Sequence, residues 1–333
     1  MGGRRLTILD CTLRDGGYIN QWAFSQEDAR TLCSAAYRAG IDIFEVGYYS
    51  ASTAGPLCRR CPPEFLAALK ECAPGMTVSC MLEAESAALP IGPPDRTGIH
   101  MLRTALNRDR VLSAIPDLCR QKGMGYQVFV QLMGISAYDE VSLLRVTEHI
   151  EKAQCADGIC LADSYGSLLP KQTQRLVGLL REHSSLRIGL HAHNNMQLGL
   201  ANVLAAIEAG VDQVDVCLNG MGRGGGNVPS ELLLGWLETE DPEQYHVLPL
   251  LEAAREVLQP LKAAYQWGYS EESMLSGVYG CHPYYTGKLS ESIEAPSSSQ
   301  LLQAASLAAA SGTIGYRPSE MEHIVRTILQ NDP

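Results

Sequence analysis

Over the first two thirds of the chain, short apolar runs alternate with longer amphipathic stretches, and the alternation can be counted. Eight runs read as strands: Leu6 to Asp10, Asp42 to Val46, Val78 to Leu82, Gly98 to Leu102, Tyr126 to Leu132, Gly158 to Ala162, Arg187 to His193 and Gln213 to Leu218. Each is brief and mostly apolar, which is the pattern of strands buried on both faces of a parallel sheet. Between them, apolar positions recur at helical spacing in Gln26 to Ala39, Arg108 to Lys122, Val141 to Ala153, Lys171 to His183 and Leu198 to Ala209. Gly40, Gly123 and Gly210 serve as stops. Repeated strand-then-helix units, with no strong linker before about residue 240, predict an α/β fold closed into a (β/α)8 barrel. An open doubly wound sheet would want a glycine-rich turn after the first strand. The residues there are Cys11-Thr12-Leu13-Arg14-Asp15-Gly16-Gly17, which is not G-x-G-x-x-G.

Beyond Gly235 the pattern changes. Glu238 to His246 is polar and turn-rich, and Leu250 to Tyr265, Ser270 to Val278, Ser299 to Ala310 and Ser319 to Leu329 read as helices without strands. The expected organisation is a barrel over residues 1–240 and a helical appendage over 241–333, completing the active site or an oligomer interface.

Size supports this picture: 333 residues at 46% apolar and 19% charged content can bury a barrel of roughly 250 residues. The net charge of −11 is spread among interspersed acids and bases, which argues against nucleic-acid or anionic-membrane partners. A small-molecule substrate and a homo-oligomer are expected. No apolar stretch reaches membrane-span length, and Met1-Gly2-Gly3-Arg4-Arg5 leads straight into a strand rather than into a signal peptide. The arginine pair is not read as an export signal. Eleven scattered cysteines suit reduced thiols and a cytoplasmic location. Cys58-Arg59-Arg60-Cys61 has zinc or redox spacing but no second such pair, so no metal is assigned to it.

In a barrel, chemistry gathers at the carboxyl ends of the strands. Collected there are Arg14 and Asp15, Glu45, Arg103, Gln131, Asp163 and Ser164, and the stretch His191-Ala192-His193-Asn194-Asn195. The eighth strand adds Asn219-Gly220-Met221-Gly222-Arg223-Gly224-Gly225-Gly226-Asn227. Alternate strand residues share a face, so His191 and His193 stand about 7 Å apart along the chain and can converge on an ion. Alone, the pair could equally be two hydrogen-bonded polar residues at a strand end. An aspartate and two histidines with an open position would suit a divalent ion that polarises a carbonyl. Arg14 beside them can hold an enolate oxygen or a carboxylate. The glycine-rich loop is read as a turn that brings Asn227 to the metal in preference to a phosphate cradle, since it lacks a P-loop's lysine and hydroxyl.

Three ordered segments carry a family resemblance: Leu9 to Gly17, His191 to Asn195 and Gly220 to Asn227. They resemble the signatures of the metal-dependent TIM-barrel lyase superfamily, which includes 4-hydroxy-2-oxovalerate aldolase, hydroxymethylglutaryl-CoA lyase, isopropylmalate and homocitrate synthases, and pyruvate carboxyltransferase domains. Asp163-Ser164-Tyr165-Gly166-Ser167 and Gly224 to Pro229 are similar to the aldolases' loops, and Ser276-Gly277-Val278-Tyr279 resembles the segment of their helical domain that lends a tyrosine to the site. The resemblance implies Asp15, His191 and His193 as metal ligands, Asn227 as a fourth ligand and Arg14 as the electrophilic stabiliser. It makes Tyr279 a catalytic candidate. One departure matters: where the aldolases have a histidine three residues after the metal-binding aspartate, this chain has Tyr18. Tyr18 joins the catalytic set, with Glu45, Arg103, Gln131 and Ser164 as substrate-binding candidates.

The expected activity is a divalent-metal-dependent lyase or aldolase making or breaking a carbon–carbon bond next to a 2-oxo acid such as pyruvate, through a stabilised enolate. The other component would be an aldehyde or acyl partner. One divalent ion is expected, Mn²⁺ or Mg²⁺ ahead of Zn²⁺ or Co²⁺, because a carboxylate and two imidazoles form a mixed, thiolate-free site. An aldol- or Claisen-type condensing enzyme with a larger acceptor is the alternative, and a non-catalytic metal-binding scaffold the second.

Overall fold

The computed structural model describes residues 5–331 apart from 51, 53, 87 and 313. Met1 to Arg4, and so the first arginine of the amino-terminal pair, lie outside the described residues, while Arg5 pairs with Asp42 at 2.7 Å. Eight parallel strands close into a barrel in sequence order. They are β1 Thr7–Asp10, β2 Ile43–Tyr48, β3 Thr77–Glu83, β4 Met101–Leu106, β5 Gln127–Met133, β6 Gly158–Asp163, β7 Arg187–Ala192 and β8 Gln213–Val216. Closure is made where β8 pairs in register with β1, Thr7 opposite Gln213 through Asp10 opposite Val216.

The helices lie outside, as expected of strands whose outer faces are apolar. Gln26–Arg38 starts at Ser25, whose side chain accepts from the Asp28 N–H while Asp28 bonds back, a capping box. Pro63–Cys72, Val111–Gly123, Glu140–Ala153, Pro170–His183 and Gly199–Glu208 follow. Ser230–Glu240 follows β8 directly and is a barrel helix, so the change of pattern read at Gly235 falls inside it.

One strand differs materially from expectation. β4 begins at Met101 rather than Gly98, because Pro94–Thr97 forms a helical turn that Gly98 closes in the left-handed region at φ 75°. Two apolar residues after a glycine look the same in sequence whether the glycine caps a turn or opens a strand. The shift moves Arg103 from the strand's end to its middle.

The main core lies between strands and helices, with Phe44, Phe65, Leu102, Val128 and Ile188 wholly buried. Tyr245, Leu250, Ala253, Val257 and Leu258 join this core from beyond the barrel. A small plug, Leu9, Cys11, Ile43, Met101, Phe129 and Cys217, fills the barrel's interior. The helices Glu271–Tyr279, Ser298–Ala310 and Pro318–Asn331 close around a separate core that includes Leu275, Tyr285, Leu301, Ala305, Ile324 and Ile328. No helix among the described residues is long and apolar enough to cross a membrane.

Candidate functional site

The site begins with a turn. At the end of β1, the Asp10 carboxylate accepts from the Thr12 N–H at 2.9 Å and from the Thr12 hydroxyl at 3.0 Å, starting a one-turn helix, Thr12–Asp15. Burial pushes the Asp10 carboxyl up to about 7, against those hydrogen bonds. The Thr12 hydroxyl also accepts from the Leu218 N–H at 2.7 Å, stitching β1 to the loop after β8. Arg14 and Asp15 are thereby fixed inside the mouth, 5% and 0% exposed.

Asp15, His191 and His193 each present a ligand atom within 4.8 Å of the other two. His191 ends β7 on the inner face; the strand stops at Ala192, and His193 is held by a bridge to Asn227. Both imidazoles use Nδ1 for protein partners: His191 meets Asp215 Oδ2 at 3.0 Å and His193 donates to the Gly226 carbonyl at 3.2 Å. Nε2 of each is therefore free to face the site, the usual arrangement of metal-binding histidines. Burial opposes ionisation of Asp15, yet Arg14, His193 and His191 hold its carboxyl well below the usual carboxylate range. Burial, with His191 and Arg223 nearby, lowers His193 to about 3, so it presents a lone pair at neutral pH. His191 rises to about 9 against its burial, chiefly through its hydrogen bond to Asp215 and also through Cys11, so an ion taken up at its Nε2 would displace a proton.

Asn227 comes close, donating from Nδ2 to Asp15 Oδ2, while its Oδ1 is buried without a partner. The donor set fits a divalent ion: one carboxylate, two imidazole Nε2 atoms and an orphaned amide oxygen. A second triad, Cys11, His191 and Asp215, also clusters. Its Asp215 is already held by Arg103, and Cys11 by the Cys217 sulfur at 3.4 Å.

The glycines of the loop after β8 are dictated by closeness. A Cβ on Gly222 would lie 2.0 Å from Asn227 Nδ2, and one on Gly226, whose φ is 82°, would lie 2.3 Å from the Gly220 carbonyl. The loop is pinned by Asn195, whose Oδ1 accepts from the Gly225 N–H at 3.1 Å.

Arg14 donates from Nε to Glu45 and from Nη1 to Asp15, each at 2.7 Å, and its Nη2 is buried with no partner. Glu45 gives its other oxygen to Arg103 at 3.2 Å, and Arg103 Nη2 also binds Gln131 and Asp215. Arg103 and Glu45 are wholly buried and do not line the cavity above. The expectation that they contact substrate is corrected: with β4 starting three residues late, Arg103 lies below the mouth and Glu45 is saturated by two guanidinium groups. Their role is to hold Arg14 and Asp215 in place.

The cavity at the mouth measures about 60 Å³ and is bordered by Arg14, Tyr18, Gln131, Ser164, His191 and His193, among others. Ser164 accepts from the Gly134 N–H at 3.0 Å. Tyr18 closes the cavity's outer end, its hydroxyl 2.7 Å from that of Tyr48 and its ring edge-on to Trp22 at 4.7 Å.

Tyr279 does not arrive. It sits 36% exposed in the last turn of Glu271–Tyr279 and borders neither this cavity nor the one outside it. That helix turns Ser276 and Gly277 inward instead, Ser276 accepting from Asn195 Nδ2 at 2.9 Å. Gly277 packs directly against Asn195, and at about 100° per residue Tyr279, two positions on, lies on the far side of the helix from it. The helical region instead contributes His282, 3.5 Å from Arg223 and lowered to about 3 by burial, Arg223 and His193.

Sequence reasoning missed Asp215, Tyr48, Arg223 and His282 as members of the site. Asp215 lies one residue before the end of an apolar strand whose inner face could have been counted, and Arg223 lay within the glycine-rich loop already singled out, but His282 had no local signal. Cys58 and Cys61 are buried and raised by burial, and they join no metal-binding cluster among the described residues. All eleven cysteines are free thiols.

Comparisons with known proteins bear on the fold and the family. The HMGL-like family profile matches residues 102–256. The 4-hydroxy-2-oxovalerate aldolase of Roseiflexus castenholzii is 30% identical over 267 residues, covering 78% of this chain and 79% of that protein. Among solved structures, the N-terminal domain of a Bacteroides vulgatus protein provisionally named an aldolase superposes with a TM-score of 0.75 at 30% identity, covering 86% of this chain and 97% of that one. The carboxyl transferase domain of Rhizobium etli pyruvate carboxylase superposes at 0.76 with 19% identity, covering 99% of this chain and 61% of that one, a likeness of fold. The chain belongs to the HMGL-like family of metal-dependent TIM-barrel lyases and stands within it beside the 4-hydroxy-2-oxovalerate aldolases.

Proposed function

We propose that the protein is a divalent-metal-dependent carbon–carbon lyase that binds a 2-oxo acid in the inner cavity and works through its enolate. The observation that carries this is the unpartnered Arg14 Nη2 beside the Asp15, His191 and His193 cluster. The cavity of about 60 Å³ has room only for a small molecule. Asp15, His191, His193 and Asn227 Oδ1 would hold the ion, Mn²⁺ or Mg²⁺ ahead of Zn²⁺. When bound, it supplies Lewis-acid polarisation of the 2-oxo carbonyl.

The residues do the rest. Arg14, its guanidinium locked by Glu45 and Asp15, offers Nη2 to the oxygen on which enolate charge develops, so no reorganisation is needed as that charge appears. Gln131 and Ser164 border the 2-oxo acid. Tyr18 orients the oxygen on the carbon beyond the reacting bond. Burial and the neighbouring Tyr18 raise Tyr48 well above the usual phenol range, so the Tyr48 hydroxyl stays protonated and donates. Donation to an alkoxide suits carbon–carbon bond formation better than deprotonation of a hydroxyl suits cleavage. We therefore propose reversible aldol chemistry in which simple 4-hydroxy-2-oxo acids are cleaved slowly. The helices beyond residue 270 complete the mouth.

The test is pyruvate release from a panel of 4-hydroxy-2-oxo acids, and its reverse, with Mn²⁺ or Mg²⁺ supplied. Turnover on at least one member, abolished by chelation, is expected. A folded, metal-loaded protein inert in both directions would contradict the reading.

A further inference from the structure

Two larger cavities share Tyr18 with the reacting cavity, and their chemistry differs. One is bordered by Glu83, Glu85 and Asp109 with a single cation, Arg110. The other, about 320 Å³, runs between the glycine loop and the helical region and is bordered by Tyr18, Arg223, Ser270, Tyr284 and Lys288, with Glu272 the one acid. Arg223 borders both this outer cavity and the inner one.

Arg223 forms no ion pair among the described residues, and its Nε is buried without an acceptor. Its guanidinium lies 5.6 Å over the Tyr18 ring, and Nη1 stands 3.5 Å from His282 Nε2. The tautomer of His282 follows from its other nitrogen: Nδ1 accepts from the Tyr284 N–H at 3.2 Å. A neutral imidazole that accepts at Nδ1 carries its proton at Nε2. Two donors, Arg223 Nη1 and His282 Nε2, thus face each other with no acceptor between them, next to Pro283 and Tyr284 of the outer cavity's wall. Lys288 lies farther along that wall, over the Tyr284 ring at 5.0 Å and 3.5 Å from Glu291.

We propose that the outer cavity is the subsite for an acceptor aldehyde bearing an anionic group, a carboxylate or a phosphate, which Arg223 binds from the cavity wall with His282 behind it. This deepens the proposed aldol chemistry and rests on it. In the forming direction, pyruvate C3 loses a proton to solvent, and the enolate C3 bonds to the aldehyde carbon as that carbon's C=O π bond opens. The carbonyl oxygen takes a proton from the Tyr18 side, yielding a 4-hydroxy-2-oxo acid with an anion at its far end. The acidic cavity repels such an acceptor, so binding is in the basic one.

The test condenses pyruvate with matched acceptors: butanal against 4-oxobutanoate, and glyceraldehyde against glyceraldehyde 3-phosphate. Pyruvate C3 deuteration by the wild type is followed separately. A kcat/KM at least tenfold higher for one anionic member over its neutral counterpart is expected, and the preferred pair identifies carboxylate or phosphate. Arg223→Gln should lower that ratio by roughly 10- to 100-fold, as loss of a charge-assisted contact does. Because a ratio is read, a general loss of activity does not mimic the effect. Lys288→Gln, on the exposed wall, should lower it less, which keeps the test open if Arg223→Gln fails to fold. Deuteration without anionic preference, or a ratio unchanged in Arg223→Gln, overturns this inference alone. No deuteration and no condensation overturns the proposed function with it.

Discussion

Arg14 shows how the site assigns work to single atoms. Two of its nitrogens are fixed by Glu45 and Asp15, and the third is left for substrate. A lysine keeps the charge but not the fork, so Arg14→Lys should cut kcat by about 10²- to 10³-fold. Metal content, read by elemental analysis, should stay at the wild-type level. A variant with near wild-type kcat would remove Arg14 from the mechanism. Asp215 acts one atom farther out, orienting His191 through Nδ1. Asp215→Asn should weaken metal binding by about 10- to 100-fold, measured by calorimetric titration of the metal-free protein. Unchanged affinity would show that His191 is oriented by other contacts.

His282 offers a check through stability. Its folded-state value is depressed from 6.5 to about 3, so the folded chain favours the neutral ring while the unfolded chain takes up a proton below about 6.5. Its contribution is therefore fully present above pH 6.5 and is lost as pH falls toward 3. Denaturant titrations of the metal-free protein should show a shallower loss of stability between pH 6.5 and 4 for His282→Gln than for wild type. Parallel curves would mean that the ring is not held neutral. His282 was not visible as a site residue in sequence, because it is defined by a partner far along the chain, and Asp215 was passed over although it stands on a strand that was counted. His191, His193, Arg14 and Asp15 were visible, since they crowd the ends of two countable strands.

The strands and helices themselves were largely legible, because an apolar run flanked by a capping residue and a glycine marks its own ends. The exception, β4, carried a functional misreading with it. A start at Gly98 leaves Arg103 at the mouth, whereas the observed start at Met101 buries it within the barrel. The helix Glu271–Tyr279 gave a similar lesson: the segment was recognised, but its inward direction is set by Gly277, packed on Asn195, and Tyr279 two residues on faces away. Tyr279→Phe should therefore leave turnover within about twofold of wild type, since the loss of an exposed hydroxyl usually costs little. The glycine loop is the element whose shape the site needs most. Gly226→Ala forces a Cβ against the Gly220 carbonyl at a positive φ, and should destabilise the protein by on the order of 1–3 kcal/mol. It should also lower metal occupancy, because His193 and Asn227 are both tied to that turn. A stable variant with full metal content would show that the loop tolerates another path.

The molecule as a whole joins a barrel that carries the charged cluster to a helical region with its own core, docked through Asn195 to Ser276 and through Gly315 to the Tyr165 hydroxyl. That division matches the chemistry proposed, with the 2-oxo acid held by the barrel alone and its partner at the seam. Enolate formation therefore belongs to the barrel and should proceed without any acceptor. The most direct measurement is proton NMR of pyruvate in D₂O with the full-length protein. The wild type with Mg²⁺ should exchange the methyl protons well above the buffer rate. Exchange should fall to background after chelation and in the His191→Ala/His193→Ala variant, and Arg14→Lys should slow it strongly. Folded, metal-loaded wild type that leaves the methyl signal at the buffer rate would contradict the account.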